Sequence, residues 1–261
     1  MQLWAHQAND LERLRAAYRA GSRRVVYVAP TGSGKTTTSA ELMRLSVAKG
    51  RRVLFMVHLR TLVRQCSDRL SALSIPHGVI MAGFRRSDAP VQVCSRDTLI
   101  RTEFPPADLI IQDEAHHIGA KYDDIIARYP GAHILGLTAT PIREDGRGLG
   151  ASYDSLVCSL SPRQLTDQGF LVPARTFAPS APDLRGVHTL GGDYQRGQLE
   201  EVCLKSRIIG DMPEHWKRYA DGRRSVYYAV SIAHSKAIVD AFNAAGIRAA
   251  HLDAHSSDME R

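Results

Sequence analysis

The chain has 261 residues, 44% hydrophobic and 23% charged, a globular composition that allows one large domain or two smaller ones. No apolar run approaches the roughly 20 residues that cross a bilayer, and the opening MQLWAHQANDLERL lacks the basic-then-apolar order of a secretory leader, so a cytoplasmic protein is expected. Cys66, Cys94, Cys158 and Cys203 lie far apart with no CxxC pair, which fits reduced thiols rather than a disulfide framework or zinc knuckle. The formal net charge of +7, from 34 Lys+Arg against 27 Asp+Glu, suits a polyanionic partner but does not establish one.

In chain order, VVYVA (25–29) predicts a strand that leads through a Gly-rich turn into a helix over 35–48, closed by Gly50. VLFMV (53–57) predicts a second strand, and Leu62, Val63, Cys66, Leu70 and Leu73 recur at helical spacing over 61–73. VQVCS (91–95), DLIIQD (108–113) and HILGLT (133–138) follow as further strands. Strands apolar nearly throughout need cover on both faces, so the expected fold class is α/β, a parallel sheet flanked by helices. The Pro- and Gly-rich stretch 177–197 reads as a linker or hinge, followed by a helical stretch at 198–220. A second strand–helix–strand unit is then expected from SVYYAVS (225–231), a helix within 231–246, and IRAAHLD (247–253). The expected organisation is a first domain over 1–175, a linker over 176–222, and the opening part of a second domain over 223–261.

The chemistry concentrates in two motifs. APTGSGKTT (29–37) sits between a strand and a helix and has the form of a phosphate-binding loop, with Ala29 at its first position. Gly32 and Gly34 let backbone N–H groups turn inward around phosphate oxygens, and the start of the following helix favours negative charge. Thr31, Ser33 and Thr37 complete the cradle, Lys35 can reach the outer phosphates, and the Thr36 hydroxyl can bind Mg²⁺. The second motif is LIIQDEAHHIG (109–119), in which an apolar strand ends on two acids. Asp113 at that strand end can hold the Mg²⁺ that comes with the nucleotide, and Glu114 can polarise an attacking water. The alternative is a transition-metal site built from Asp113, Glu114, His116 and His117, although adjacent histidines on one short loop rarely aim at one ion and no HExxH spacing is present.

The pairing of AxxGxGKT with DEAH resembles the superfamily 2 helicases and translocases of the DEAD/DEAH-box group. Further segments match in order across the chain. Gln7 in LWAHQ resembles the adenine-recognising glutamine. HLRTLVRQ (58–65) and VCSRDTL (93–99) resemble the segments that line the nucleic-acid path, which implies contacts from Arg60, Thr61, Ser95 and Thr98. Each of these four, taken alone, is more often a helix cap or a surface residue. LTATP (137–141) resembles the coupling motif, which gives that role to Thr138 and Thr140 beside a plain strand-end reading, and allows His116 to relay between them and the acids. Trp4 and Tyr18 could stack on adenine or pack the first helix. The continuation IREDGRGLG looks closest to RadD-like bacterial and phage helicases and to restriction-enzyme motors, and YYAVSIAHSKAIVDAF (227–242) resembles the motif that opens a second RecA-like domain.

The resemblance implies two RecA-like domains, the second incomplete, with ATP and Mg²⁺ as ligands and DNA or RNA, DNA favoured, as partner. It implies an ATP-dependent helicase or translocase, possible within a larger repair, replication or restriction complex. The family's later motifs, including the arginine fingers that face the phosphates, have no counterpart after residue 231, so weak hydrolysis by this chain alone is expected. Two alternatives stay open: a duplex DNA translocase subunit of a restriction or repair complex, and a non-catalytic nucleic-acid-binding module.

Overall fold

The computed structural model describes residues 2–57, 59–143, 145–177, 183–190, 193–204, 206–253 and 256. The chain divides into two compact units, Met1–Ala174 and Arg175–Arg261.

The first unit opens with α1 (Ala5–Arg19), followed by β1 (Arg24–Val28), α2 (Lys35–Val47), β2 (Val53–Val57) and α3 (Arg60–Ala72). It continues through β3 (His77–Ile80), β4 (Val91–Ser95), α4 (Arg96–Leu99), β5 (Leu109–Gln112), α5 (Ala120–Ala127), β6 (His133–Thr138), β7 (Ser155–Cys158) and α6 (Pro162–Asp167). The strands form one seven-stranded sheet in the order β3-β4-β2-β5-β6-β1-β7, and every neighbouring pair is parallel. β2, β4 and β5 are buried along their whole length, as the continuous apolar runs require.

Each face of the sheet has its own core. On one, Leu11 and Leu14 of α1, Met43 of α2 and Leu70 of α3 pack with Tyr27 and Phe55. On the other, Leu99 of α4 and Tyr122 and Ile125 of α5 pack with Leu54, Met56 and Ile110. The expected α/β sheet with helices on both sides is therefore what the first unit forms. Two edge strands were not expected. β3 and β7 are four residues each, and β7 buries only Val157, so neither carries a run long enough to stand out.

Register places the chemistry. Val28 lies opposite Thr138, so β1 and β6 end level, while β5 ends at Gln112 opposite Gly136, two residues earlier, and the chain after it continues along the same edge. The chain leaves β1 for β2 by passing over β6 and β5, which puts a topological switch at this edge, the usual position of a ligand crevice in open α/β sheets.

The second unit holds a short hairpin of β8 (Thr189–Leu190) and β9 (Asp193–Tyr194), then α7 (Arg196–Cys203), α8 (Ser206–Ala220) and α9 (Ile232–Ala244). The stretch 176–222 thus contains a hairpin and two helices, and the helix expected at 198–220 is two. α9 agrees with the helix expected within 231–246, and its N-cap Ser231 accepts the His234 N–H at 3.0 Å. The strands expected at 225–231 and 247–253 are not formed: neither segment joins a ladder among the described residues. The reason lies in βαβ topology. β1 and β2 of the first unit are successive strands, yet each is held by neighbours drawn from later in the chain. An apolar run supplies the propensity for a strand, and the ladder needs a partner that the described second unit does not offer.

Candidate nucleotide site

The loop after β1 carries the phosphate-binding motif and leads directly into α2, whose first residue is Lys35. Gly32 and Gly34 have φ of +83° and +88°, in the left-handed region where a side chain is strained. A Cβ on Gly34 would also stand 2.2 Å from Gln7 Nε2, and one on Gly32 would stand 2.9 Å from Leu171 Cδ2. Conformation requires both glycines, and at Gly34 the close approach of the buried Gln7 amide requires one a second time.

Lys35 Nζ donates to the Ala29 carbonyl at 2.9 Å. Burial pulls its pKa below the usual lysine range, while Glu114 and Asp113 oppose that shift. Asp113 follows β5, and its N–H is held by the Met56 carbonyl of β2 at 2.9 Å. Burial, with Glu114 beside it, raises the Asp113 pKa; the Glu114 N–H, donating to Asp113 Oδ1 at 3.1 Å, and the Lys35 charge work against the rise. Two acids and a lysine thus share a partly desolvated corner, and the charges there are only partly compensated. Thr31, Gly32, Thr36 and Thr37 line a cavity of about 480 Å³ with them, within the size range of small-ligand sites.

Glu114 itself adopts φ of +50°, an uncommon conformation for a side-chain-bearing residue that costs about 1–2 kcal/mol. The Ala115 N–H then donates to the Leu137 carbonyl at 2.8 Å, stitching this turn to β6. From Glu114 a chain of polar contacts crosses to β6. Glu114 Oε2 lies 3.3 Å from His116 Nδ1, which is 3.0 Å from Thr138 Oγ1. Thr138 Oγ1 in turn donates to the Thr140 carbonyl at 2.8 Å and accepts the Thr140 N–H at 3.1 Å. With the hydroxyl proton committed to Thr140, Nδ1 must carry the hydrogen it gives to Thr138, which fixes the His116 tautomer.

The DEAH stretch does not gather as metal ligands. His116 is turned to Thr138, and among the described residues no three His, Cys, Asp or Glu side chains are grouped to hold a metal ion. The His117 carbonyl accepts from Arg96 of α4, and its ring stands 4.2 Å from that of His116.

Gln7 is buried on α1 and grips the loop, its Nε2 donating to the Ser33 carbonyl at 3.0 Å while its Oε1 accepts the Trp4 N–H at 3.0 Å. Tyr18 packs rather than stacks: it is part-buried, and its hydroxyl donates to the Ile134 carbonyl at 2.9 Å. Trp4 is half exposed beside Phe170, with ring centroids 5.1 Å apart. Ser95 is the N-cap of α4, fully buried, with its oxygen 2.8 Å from Thr98 Oγ1 and accepting the Thr98 N–H at 3.3 Å. These two hydroxyls engage each other, which is the helix-cap reading of that pair. Arg60 and Thr61 open α3, and their side chains lie outside the described residues. After β6, Ile142 bridges Gly148 and Arg143 pairs with Asp145 at 3.3 Å; Glu144 lies outside the described residues.

Sequence reasoning missed the walls of the site. Gln65, Cys66 and Arg69 of α3 line the same cavity as Lys35 and Asp113. In the sequence Cys66 is a lone thiol at an apolar position of a helical pattern; burial, with Asp113 nearby, pushes its thiol up to about 12, so it is an inert wall. His6 and Leu171 also pack against the phosphate loop, with Phe170 behind His6, and no sequence signal links positions so far apart.

Known proteins resemble the chain in the same region. Residues 1–143 match the family described as the type III restriction enzyme, res subunit. A 51.5 kDa protein of a Lactococcus phage is 30% identical over 234 residues, which are 89% of this chain and 49% of the phage protein. A Schizosaccharomyces pombe protein named as a candidate mitochondrial ATP-dependent helicase, irc3, is 24% identical over all of this chain and 46% of its own length. The chain therefore spans about half the length of these curated relatives. Among solved structures, the UvsW helicase of bacteriophage T4 shares the fold with a TM-score of 0.51 at 19% identity, over 60% of each chain. The family match covers more than half of the chain and includes both the phosphate loop and the DEAH stretch, so the chain belongs to the res-subunit family of type III restriction enzymes, within the superfamily 2 helicases.

Proposed function

We propose that this chain is the ATP-hydrolysing part of a superfamily 2 motor that moves along or unwinds nucleic acid. The observation that carries the reading is the convergence of Lys35, Thr36, Asp113 and Glu114 on one cavity beyond the ends of β1 and β5, the two strands that flank β6. The glycine cradle and the two acids fit a nucleotide that arrives with its own cation. Thr36 and Asp113 would hold Mg²⁺, which when bound would offset charge on the phosphates.

Within that site, Lys35 and the loop N–H groups bind phosphate oxygens, and Gln7 reads the base from the far side of the loop. Glu114 accepts the proton of the attacking water. His116, poised between Glu114 Oε2 and Thr138 Oγ1, transmits the state of that carboxylate to Thr138 and Thr140 on β6. Arg60, Thr61 and the α4 turn of Ser95 and Thr98 form the nucleic-acid side. DNA is the favoured track because relatives of 30–34% identity are named DNA 3'-5' helicase or translocase. The res-subunit match also favours duplex translocation within a restriction or repair complex as a second reading.

The test is ATP hydrolysis with single-stranded DNA, duplex DNA and RNA offered separately. Lys35→Ala is expected to abolish nucleotide binding. Glu114→Gln is expected to keep binding and lose roughly 10²–10⁴-fold in turnover, the range of a removed general base. Wild-type hydrolysis by Lys35→Ala would overturn the assignment. Equal stimulation by duplex and single strands would favour tracking over unwinding.

A further inference from the structure

The phosphate loop is gripped from behind by two adjacent residues. Gln7 Nε2 and His6 Nε2 both reach the Ser33 carbonyl, at 3.0 and 3.1 Å. A carbonyl only accepts, so His6 Nε2 carries the proton, and Nδ1 is left as a lone-pair acceptor. His6 is buried, and its Nδ1 has no hydrogen-bond partner. The ring sits edge-on to Phe170 at 4.7 Å and 5.6 Å from Trp4. A phenylalanine would suit that aromatic setting and leave no buried nitrogen orphaned. What the imidazole adds at this position is the donor to Ser33.

The carbonyl it holds has a definite consequence. In a planar trans peptide the C=O of one residue and the N–H of the next point in opposite directions. Fixing the Ser33 carbonyl toward α1 therefore aims the Gly34 N–H to the other side of the loop. Gly34 sits in the left-handed region and lines the cavity with Lys35 and Thr36. Phe170, in turn, is anchored by its own N–H on the Leu165 carbonyl at 2.8 Å, so the turn after α6 backs the ring that backs the loop.

We propose that His6 is a positioning residue for phosphate binding: with Gln7 it orients the Ser33–Gly34 peptide so that the Gly34 N–H faces the phosphates. The proposal rests on the nucleotide-site reading above. His6 acts on the polyphosphate and not on the base, so its removal weakens every polyphosphate alike, whereas loss of Gln7 also changes the preference for adenine.

The test measures binding of Mg-ATP, Mg-GTP and inorganic tripolyphosphate with Mg²⁺ to the whole chain. His6→Phe, which keeps the aromatic packing and loses the donor, is expected to weaken all three by a similar factor, about 5–10-fold, the size of one lost hydrogen bond. The ATP-to-GTP ratio and the unliganded melting temperature should stay put. His6→Gln restores a donor at the reach of Nε2 and should recover most of the tripolyphosphate affinity. Wild-type tripolyphosphate affinity in His6→Phe overturns the proposal, as does a loss that His6→Gln leaves uncorrected. Lys35→Ala separates the two levels: if it binds tripolyphosphate normally, the nucleotide-site reading itself fails, and if it does not while His6→Phe does, only the role of His6 fails.

Discussion

The first strand of one unit and the first strand expected in the other are written in the same alphabet. VVYVA in the first unit and SVYYAVS in the second are both apolar, β-branched and aromatic. Yet Tyr27 is fully buried between β6 and β7, its hydroxyl donating to Asp10 Oδ2 at 2.8 Å, while Tyr228 is 94% exposed and Val226 79% exposed. Local propensity is the same; neighbours differ. Strand formation in a parallel sheet is decided by strands remote in sequence, so a run of apolar residues proposes a strand and the topology disposes of it.

That contrast can be broken most severely from inside the first unit. A Cβ on Gly136 of β6 would stand 2.4 Å from Tyr153 Oη and 2.8 Å from Ala115 Cβ. Tyr153 is itself buried and donates to Gln112 Oε1 at 3.2 Å, immediately before Asp113. Gly136→Ala should therefore cost about 1–3 kcal/mol of stability as an overpacked core position. Thermal unfolding followed with a probe in each unit would show the first unit weakened. A wild-type melting curve would mean that Tyr153 can step aside, and that β6 tolerates more than its tight register suggests.

A second disruption removes one oxygen. Tyr27→Phe keeps the ring and removes a donor from a buried carboxylate, because Asp10 is almost wholly buried and the cation paired with it, Arg13, is 3.7 Å away and half exposed. The expected loss is about 2 kcal/mol, the scale of a hydrogen bond to a charged group. Chemical denaturation should show it as a lower midpoint with an unchanged slope.

The acidic corner gives a change of opposite sign. Burial and Glu114 raise the pKa of Asp113, so its ionised form is less favourable folded than unfolded. Stability carried by such a group increases as pH falls through its folded pKa. Asp113→Asn should therefore stabilise the nucleotide-free protein at neutral pH, with the advantage over wild type fading as acid protonates Asp113. Melting temperatures in chelator across pH 4–8 would read this, and a variant less stable than wild type at neutral pH would sink it. Function and stability oppose each other here: the charge that burial disfavours is the one a Mg-nucleotide would use.

How much of this was legible follows the same division. The phosphate loop and the DEAH acids were readable because each is a contiguous motif whose chemistry is set within a few residues. Thr138 and His116 were readable as candidates, but their 3.0 Å contact depends on β5 and β6 lying side by side. His6 was passed over beside Gln7 because its role exists only through Ser33 and Phe170, which are 27 and 164 positions away in the sequence. Ser95 marks the converse case: its residue type suits a phosphate oxygen, and nothing local shows that its hydroxyl also caps α4. The two expected strands of the second unit failed for the reason that separates Tyr228 from Tyr27.

The smallest effect is the most direct measure of that separation. Tyr228→Ser removes an aromatic ring that is almost wholly in solvent, so its cost should stay within about 0.5 kcal/mol, as for surface positions generally. The neighbouring Tyr227 is the internal control. Its ring lies 5.0 Å from Phe242 of α9, and burial raises its pKa, so Tyr227→Ser should cost more than Tyr228→Ser by the value of that packing, about 0.5–1.5 kcal/mol. If the two substitutions cost the same small amount, the segment is not seated on α9 and the second unit is held by its helices alone. If Tyr228→Ser proves as damaging as Tyr27→Phe, a neighbour covers Tyr228 in solution, and the difference between the two apolar runs is one of company rather than of kind.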